Sequence, residues 1–271
     1  MENFFEKIVE LKESGEPAAF AIVIKIEGST PRKVGAKMVV LKDGKALGTL
    51  GGGDLEKRVI EEAINAIKQR QPRIASFTLD IEKGKLDMMC GGKLDVYIEP
   101  ILPKDKLIIF GAGHITRALA PLMQMGGFLV SIIDDSPDLL QKDKFSEIEN
   151  LSLRDMEEAA RELPSDPNTY IVLLSRGFSK DEAILSQLIQ KDFKYIGMIG
   201  SLRKIAAMKE NLQKQGILKG AFSKLHSPVG LDVGAETPEE IAISIAAEII
   251  AAKKGKLEIL KSNKRKEPKL S

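Results

Sequence analysis

Ile108-Ile109-Phe110-Gly111-Ala112-Gly113-His114, with Ser131-Ile132-Ile133-Asp134-Asp135 further along, is the stretch that decides the fold. An apolar strand runs into a Gly-x-Gly turn, a helix follows, and a second apolar strand ends in paired carboxylates. Those are the parts of the first βαβ unit of a dinucleotide-binding fold. The unit begins only after residue 100, so something else fills the N-terminal third. Beyond it, strands are expected at 107–110, 129–134, 170–174 and 195–199, with helices near 114–125, 180–190 and 201–215. Short apolar strands alternating with helices imply a parallel sheet covered on both faces. A last helix is announced by Thr237-Pro238-Glu239-Glu240, a capping box with Pro at the first helical position, and stops at Gly255.

Working back towards the N-terminus, Phe4, Phe5, Ile8, Val9 and Leu11 form a helical stripe within residues 2–13. Strands are expected at 18–26, 36–41 and 46–50, the last two joined by an Asp43-Gly44 hairpin turn. Gly51-Gly52-Gly53 opens a helix over 54–70 with Leu55, Val59, Ala63, Ile64 and Ile67 on one face. Two more strands are expected at 74–79 and 93–99, and Pro100 and Pro103 mark a boundary. The expected organisation is an α+β domain over 1–102, a linker over 103–106, a Rossmann-like doubly wound domain over 107–254, and a basic tail over 255–271 that frays into solvent.

Charges nearly balance, 41 Lys+Arg against 39 Asp+Glu, so global electrostatics supplies no argument for a nucleic-acid partner. Trp is absent and aromatics are 5% of the chain, which speaks against stacking platforms for single strands. A single cysteine, Cys90, forbids an intramolecular disulfide and favours a reducing compartment. The N-terminus shows no secretory pattern, and no apolar run approaches the ~18 residues of a membrane span. A cytoplasmic protein without membrane or nucleic-acid partners is expected, and a homodimer from the prevalence of symmetric pairs.

The turn Gly111-Ala112-Gly113 would let a diphosphate approach the backbone at a helix N-terminus. Asp134 lies about 21 residues beyond Gly113, where an acidic residue meets a ribose hydroxyl. That spacing favours NAD over NADP, although Thr116 stands where a third small residue is usual. The bland account is a tight turn that binds nothing. Three further loops are rich in small residues: Gly28-Ser29-Thr30-Pro31-Arg32, Gly51-Gly52-Gly53-Asp54 and Cys90-Gly91-Gly92. Successive unhindered N–H groups make an anion-binding concavity, and Arg32 can add a bidentate phosphate contact. Each loop alone reads equally as a strand-to-helix turn. Cys90 is either a soft-metal or sulfur-carrying thiolate or a small core residue. His114 and His226 are candidate proton carriers or ligands, or polar residues satisfied by backbone. Gly200, Ser201, Arg203 and Lys204 follow a strand and belong to the same carboxyl edge, with Arg203 and Lys204 as anion contacts or solvated charges.

In order along the chain, GSTPRKVGAKM (28–38), GTLGGGDLE (48–56), CGGKLDVYIEP (90–100), IFGAGHITRAL (108–119), YIGMIGSLRK (195–204) and HSPVGLDVGAETPEEIAISIAAEII (226–250) resemble the xanthine dehydrogenase accessory proteins, the XdhC/CoxI family. The resemblance implies a protein that binds molybdenum cofactor (molybdopterin), supports its sulfuration and hands it to a xanthine dehydrogenase-type hydroxylase. It implies a non-catalytic maturation factor with a cysteine desulfurase as a further partner. Cofactor handling falls on Ser29, Thr30, Arg32, Gly51, Gly52, Gly53, Asp54, Cys90, Gly91 and Gly92, with Cys90 as the metal ligand. NAD(P)-type binding falls on Gly111, Gly113, His114 and Asp134. Two departures stand out: Asp54 replaces a family Cys after the triple glycine, and Ser175-Arg176-Gly177 stands where a His often precedes the Asp. The alternatives are an NAD(P)-dependent oxidoreductase or a nucleotide-sensing Rossmann module.

Overall fold

A computed structural model describes residues 4–79, 92–175 and 177–257. The chain divides into two units, Met1–Lys104 and Asp105–Ser271. In the first, α1 (Phe4–Ser14) precedes β1 (Ala18–Glu27), β2 (Lys37–Leu41) and β3 (Ala46–Gly48). Then come α2 (Gly53–Gln69), β4 (Arg73–Thr78) and β5 (Lys93–Ile101). The sheet order is β3-β2-β1-β5-β4, with every pairing antiparallel. Apolar spacing decides the layers. On α2, Leu55, Val59, Ala63 and Ala66 recur at helical intervals and pack on Ala19, Ala21, Val23, Met38 and Val96. The other sheet face takes α1, through Leu11, Phe4 and Ile8 against Ala18, Val39 and Ile101. Leu55 and Val59 are wholly buried, worth roughly 1.5–3 kcal/mol each relative to exposure. The chain leaves α2 through Arg70 in the left-handed conformation, two residues before Pro72.

The second unit holds β6 (Lys106–Phe110), α3 (His114–Met125), β7 (Leu129–Asp134), β8 (Asn150–Leu153), α4 (Met156–Glu162) and β9 (Asp166–Leu173). It continues with α5 (Phe178–Leu188), β10 (Phe193–Met198), α6 (Leu202–Lys214), β11 (Leu225–His226) and α7 (Pro238–Lys253). The sheet order is β11-β10-β9-β6-β7-β8 and every pairing is parallel. Counted from β6 this is the 3-2-1-4-5-6 order of the Rossmann fold. Two apolar layers flank the sheet: α3 and α7 pack on Leu107, Ile109, Ile132 and Val172, while α4, α5 and α6 pack on Ile108, Phe110, Ile171 and Ile196.

β8 and α4 fall in a stretch to which the sequence pattern assigns no element. β8 is a four-residue edge strand with half-exposed side chains, and α4 has seven residues, too short for a helical period to declare itself. The helix α4 is fixed locally instead, by the Asp155 carboxylate accepting the Glu158 N–H at 2.8 Å. The capping box of α7 forms as expected, with Glu240 N–H donating to Thr237 Oγ1 and Glu240 Oε2 accepting from the Thr237 N–H. No helix among the described residues is long and apolar enough to cross a membrane.

Candidate functional site

In the first unit the antiparallel connectivity collects the small-residue loops. β1 ends, β2 begins, β3 ends and β5 begins at one edge of the sheet, so the segments 28–36, 49–52 and the residue before β5 all emerge there. Their contacts are close. A Cβ on Gly92 would lie 2.1 Å from the Ser29 carbonyl oxygen, and one on Gly51 would lie 2.4 Å from Pro31 Cγ. The structure therefore brings Ser29, Thr30, Gly51 and Gly92 together. Cys90 and Gly91 lie outside the described residues.

The triple-glycine loop is already occupied. Glu56, in the first turn of α2, folds back so that one carboxylate oxygen accepts the Leu50 N–H at 3.0 Å, the Gly52 N–H at 2.8 Å and the Thr49 hydroxyl. Burial pushes this carboxyl upward, but the Thr49, Gly52 and Leu50 donors outweigh burial and hold it below the ordinary glutamate value. The anion that fills the concavity is thus the protein's own. Thr30 is also engaged, its hydroxyl donating to the Arg32 carbonyl at 2.8 Å and tightening the turn. Ser29, Arg32, Gly53 and Asp54 remain exposed at this edge. Ser29 and Arg32 thus present a hydroxyl and a guanidinium to solvent, and Asp54 presents a carboxylate. Sequence reasoning passed over Glu56; the available signal was an acidic residue one turn into a helix that begins on a glycine run.

In the second unit the switch point lies between β6 and β9, where successive connections leave the sheet in opposite directions. Gly111, at φ 108°, sits so close to β9 that a Cβ would lie 2.7 Å from the Leu174 carbonyl. Thr116, in place of a third small residue, is fully buried and donates its hydroxyl to the Gly111 carbonyl. Gly113 caps α3, and a Cβ there would meet open space. His114 is exposed at the first position of α3. Asp134 is only 4% exposed; its Oδ2 accepts the Ala112 N–H at 2.6 Å and its Oδ1 the Ser136 N–H at 2.8 Å. The carboxylate fixes the Gly-x-Gly loop to the end of β7.

A cleft of about 90 Å³ opens between Gly111–Gly113, Asp134, Ser175 and Lys180. That is well below the 300–1,000 Å³ typical of small-molecule sites. Lys180 pairs with Asp135 at its margin. Behind it lies a cluster in which Lys204, expected as an anion contact or a solvated charge, is instead paired with a carboxylate of the protein itself. Asp181, 1% exposed, accepts from the Ser175 hydroxyl and from Lys204 Nζ at 2.6 Å. The cation satisfies a buried carboxylate and ties α5 to α6. Arg176 lies outside the described residues.

The remaining expected site residues are not gathered at this turn. Ser201 caps α6, accepting the Lys204 N–H at 3.3 Å, after Gly200 at φ 155°; Arg203 is exposed beside it. His226 belongs to the edge strand β11, with β10 and β9 between it and β6, roughly 14 Å away at ~4.8 Å per strand. Its ring stacks on Tyr195 at 4.6 Å, and the Tyr195 hydroxyl donates to Glu248 at 2.6 Å. Burial and the adjacent Glu248 charge hold the Tyr195 hydroxyl well above its ordinary value, so it stays a donor. Among the described residues no group of three or more His, Cys, Asp or Glu is placed to hold a metal ion.

Comparison with known proteins adds a family. A family model for the XdhC Rossmann domain matches residues 107–249, and one for the XdhC and CoxI family matches residues 11–78. The chain is 34% identical to the uncharacterized protein YqeB of Escherichia coli over 93% of its own length and 46% of that protein's. It thus spans about half the length of that relative. It is 25% identical to a probable xanthine dehydrogenase subunit of Bacillus subtilis, covering 94% of this chain and 98% of that one. It is 20% identical to the molybdenum cofactor insertion chaperone PaoD of Escherichia coli, over 90% of this chain and 86% of that one.

Proposed function

This chain belongs to the XdhC and CoxI family, and from that premise we propose that it carries molybdenum cofactor as cargo to a molybdenum hydroxylase of the xanthine dehydrogenase type. The observation that supports this most is the packing of Gly92 on Ser29 and of Gly51 on Pro31 at one sheet edge. Cys90 stands two residues before Gly92 in the chain, and Ser29 and Arg32 are exposed at that edge. Molybdopterin bears an anionic phosphate and soft sulfur donors. Arg32 and Ser29 are the donors for the phosphate, and the Cys90 thiolate is the soft ligand for molybdenum or its sulfur. With the Leu50 and Gly52 N–H groups bound to Glu56 and the Gly51 N–H to the Thr49 hydroxyl, the loop acts as a rigid wall and not as the phosphate cradle. Sulfuration of the cargo, with a cysteine desulfurase as donor, belongs to the same reading and rests on Cys90 alone.

The test is to purify the full chain anaerobically from a cofactor-producing host and measure molybdenum and extracted pterin. The wild type retains both. Arg32→Ala lowers retention about tenfold, the equivalent of one charge-assisted contact of ~1.4 kcal/mol, and Cys90→Ser lowers it further. Wild-type protein carrying neither molybdenum nor pterin would end this reading.

The second unit is proposed to take a nucleotide-type ligand at the Gly111–Gly113 turn, supported by the open space before Gly113 and the Asp134 carboxylate at the end of β7. Titration of the full chain with NADH is expected to show saturable binding that Asp134→Asn weakens at least tenfold, since it removes a charged acceptor at the loop. Absence of binding to the wild type removes the ligand from the proposal. Steady oxidation of NADH with a carbonyl substrate would instead favour an oxidoreductase.

A further inference from the structure

Three polar side chains meet beside the Gly111–Gly113 cleft. Ser175 follows β9, is 8% exposed and lines the cleft. A Cβ on Gly111 would lie 2.8 Å from the Ser175 nitrogen, so this residue abuts the turn itself. The Ser175 hydroxyl donates to Asp181 Oδ1, while Asp181 Oδ2 accepts Lys204 Nζ at 2.6 Å. Asp181 is in the first turn of α5 and Lys204 comes from α6. This cluster fixes a polarity. A free serine hydroxyl rotates to suit its partner, but a carboxylate paired with a lysine offers only acceptors. The Ser175 hydrogen is therefore committed to Asp181, and what the oxygen keeps is lone pairs.

The switch point decides which part of a ligand meets them. In a dinucleotide bound across such a crevice, the adenosine ribose lies towards the acidic residue that ends the second strand, and the phosphates lie at the helix N-terminus. Here those places are Asp134 on β7 and the start of α3. The other half of the ligand then falls across β6, on the side where β9 leads into Ser175. We propose that Ser175 accepts a hydrogen bond from a hydroxyl of the ligand's second ribose, and that Asp181, held by Lys204, is the positioning residue that keeps Ser175 an acceptor. The proposal rests on the nucleotide reading of this cleft. A sugar hydroxyl can donate to the Ser175 lone pairs, whereas a phosphate oxygen has nothing to donate and is turned back towards Gly113 and α3. Ser175 thus sets the register of the ligand along the sheet edge.

Titration of the full chain with NADH, ADP-ribose and ADP tests this. ADP-ribose keeps the second ribose without the nicotinamide, and ADP lacks both. Wild type is expected to bind ADP-ribose about fivefold more tightly than ADP, the worth of one hydrogen bond. Ser175→Ala removes that advantage and leaves the affinity for ADP unchanged. Asp181→Asn keeps the shape but turns an amide N–H on the Ser175 oxygen, which sends the hydroxyl hydrogen towards the ligand and weakens ADP-ribose several-fold. In the Ser175→Ala background the same change has no further effect, because Asp181 acts only through Ser175. Urea denaturation separates loss of fold from loss of contact, and the wild-type comparison of ADP-ribose with ADP needs no variant. Equal wild-type affinity for those two overturns the proposal, and so does a Ser175→Ala loss that falls equally on ADP. A loss confined to NADH moves the contact to the nicotinamide and overturns the ribose assignment. Additive losses in the double variant overturn the positioning role of Asp181. Wild type that binds none of the three removes the nucleotide reading and this proposal with it, whereas NADH and ADP-ribose binding indifferent to Ser175→Ala removes the proposal alone.

Discussion

Gly111→Ala is expected to destabilise the second unit by about 3–5 kcal/mol, and Gly113→Ala by less than about 1 kcal/mol, although both glycines belong to one motif. The difference follows from what each backbone position faces. A Cβ on Gly111 would stand 2.7 Å from the Leu174 carbonyl oxygen and 2.8 Å from the Ser175 nitrogen, so it meets backbone that cannot rotate away. Overpacking of that kind costs ~1–3 kcal/mol, and φ 108° adds ~1–3 kcal/mol of strain for an L side chain. The Gly111 N–H also donates to the Ile133 carbonyl at 2.9 Å, so moving the loop to relieve the clash breaks its tie to β7. Gly113, at φ −76° with open space before it, loses only the preference of glycine over alanine at a helix cap. Urea denaturation of the two variants measures this directly. Equal stability of Gly111→Ala and wild type would show that the close approach to β9 is not a constraint. The same pair separates scaffold from ligand contact, because a side chain at position 113 projects into the space offered to a ligand. NADH affinity is expected to fall for Gly113→Ala while its stability holds.

How legible this was in the sequence depended on the range of the interaction. The capping box at Thr237–Glu240 spans four residues and could be read directly, as could the strand-turn-helix of 108–114, because both are set by local geometry. β8 and α4 were not legible, since an edge strand of four residues and a seven-residue helix carry too few core positions to show a period. The position of His226 was misleading for a different reason. It sits within a two-residue strand, and strand order alone decides how far along the sheet that strand lies, which is at the far end. Asp134 was visible by its spacing; its bond to the Ser136 N–H is local, while its bond to the Ala112 N–H depends on a loop 22 positions earlier in the chain. The convergence of the loops at Ser29, Gly51 and Gly92 needed the antiparallel order of β3, β2, β1 and β5, which no single segment states. Asp181 and Ser175 share one segment, but Lys204 reaches Asp181 from α6, 23 positions further along the chain, and no single segment states that pairing.

The Glu56 carboxylate leads to the second large effect. Glu56→Ala is expected to cost the first unit about 3 kcal/mol, because it strips the acceptor from the Leu50 N–H, the Gly52 N–H and the Thr49 hydroxyl at once. Glu56→Gln keeps the shape and one neutral acceptor, so its cost is nearer ~1 kcal/mol. The two differ from wild type in pH dependence as well. The folded-state pKa of Glu56 lies below its unfolded value of about 4.3, so the folded state holds the charged form more tightly. Its contribution is then fully present above the unfolded pKa and is lost as pH falls through the lower folded value. Wild-type stability should therefore drop more steeply than that of Glu56→Gln as pH is taken from about 5 down to 3, and the two curves should run parallel above pH 6. Urea denaturation across that range reads the difference, and faster hydrogen exchange at the Leu50 and Gly52 amides in Glu56→Ala locates it. Parallel curves throughout, or amides that remain protected, would mean that the triple-glycine loop does not depend on Glu56. Its N–H groups would then be available to a phosphate after all, and the contact assigned to Arg32 and Ser29 would move to the loop. Cargo retention in Glu56→Gln reports on the same choice. It should stay near wild type if the loop is a wall, and change if the cofactor phosphate competes with Glu56 for the Leu50 and Gly52 donors.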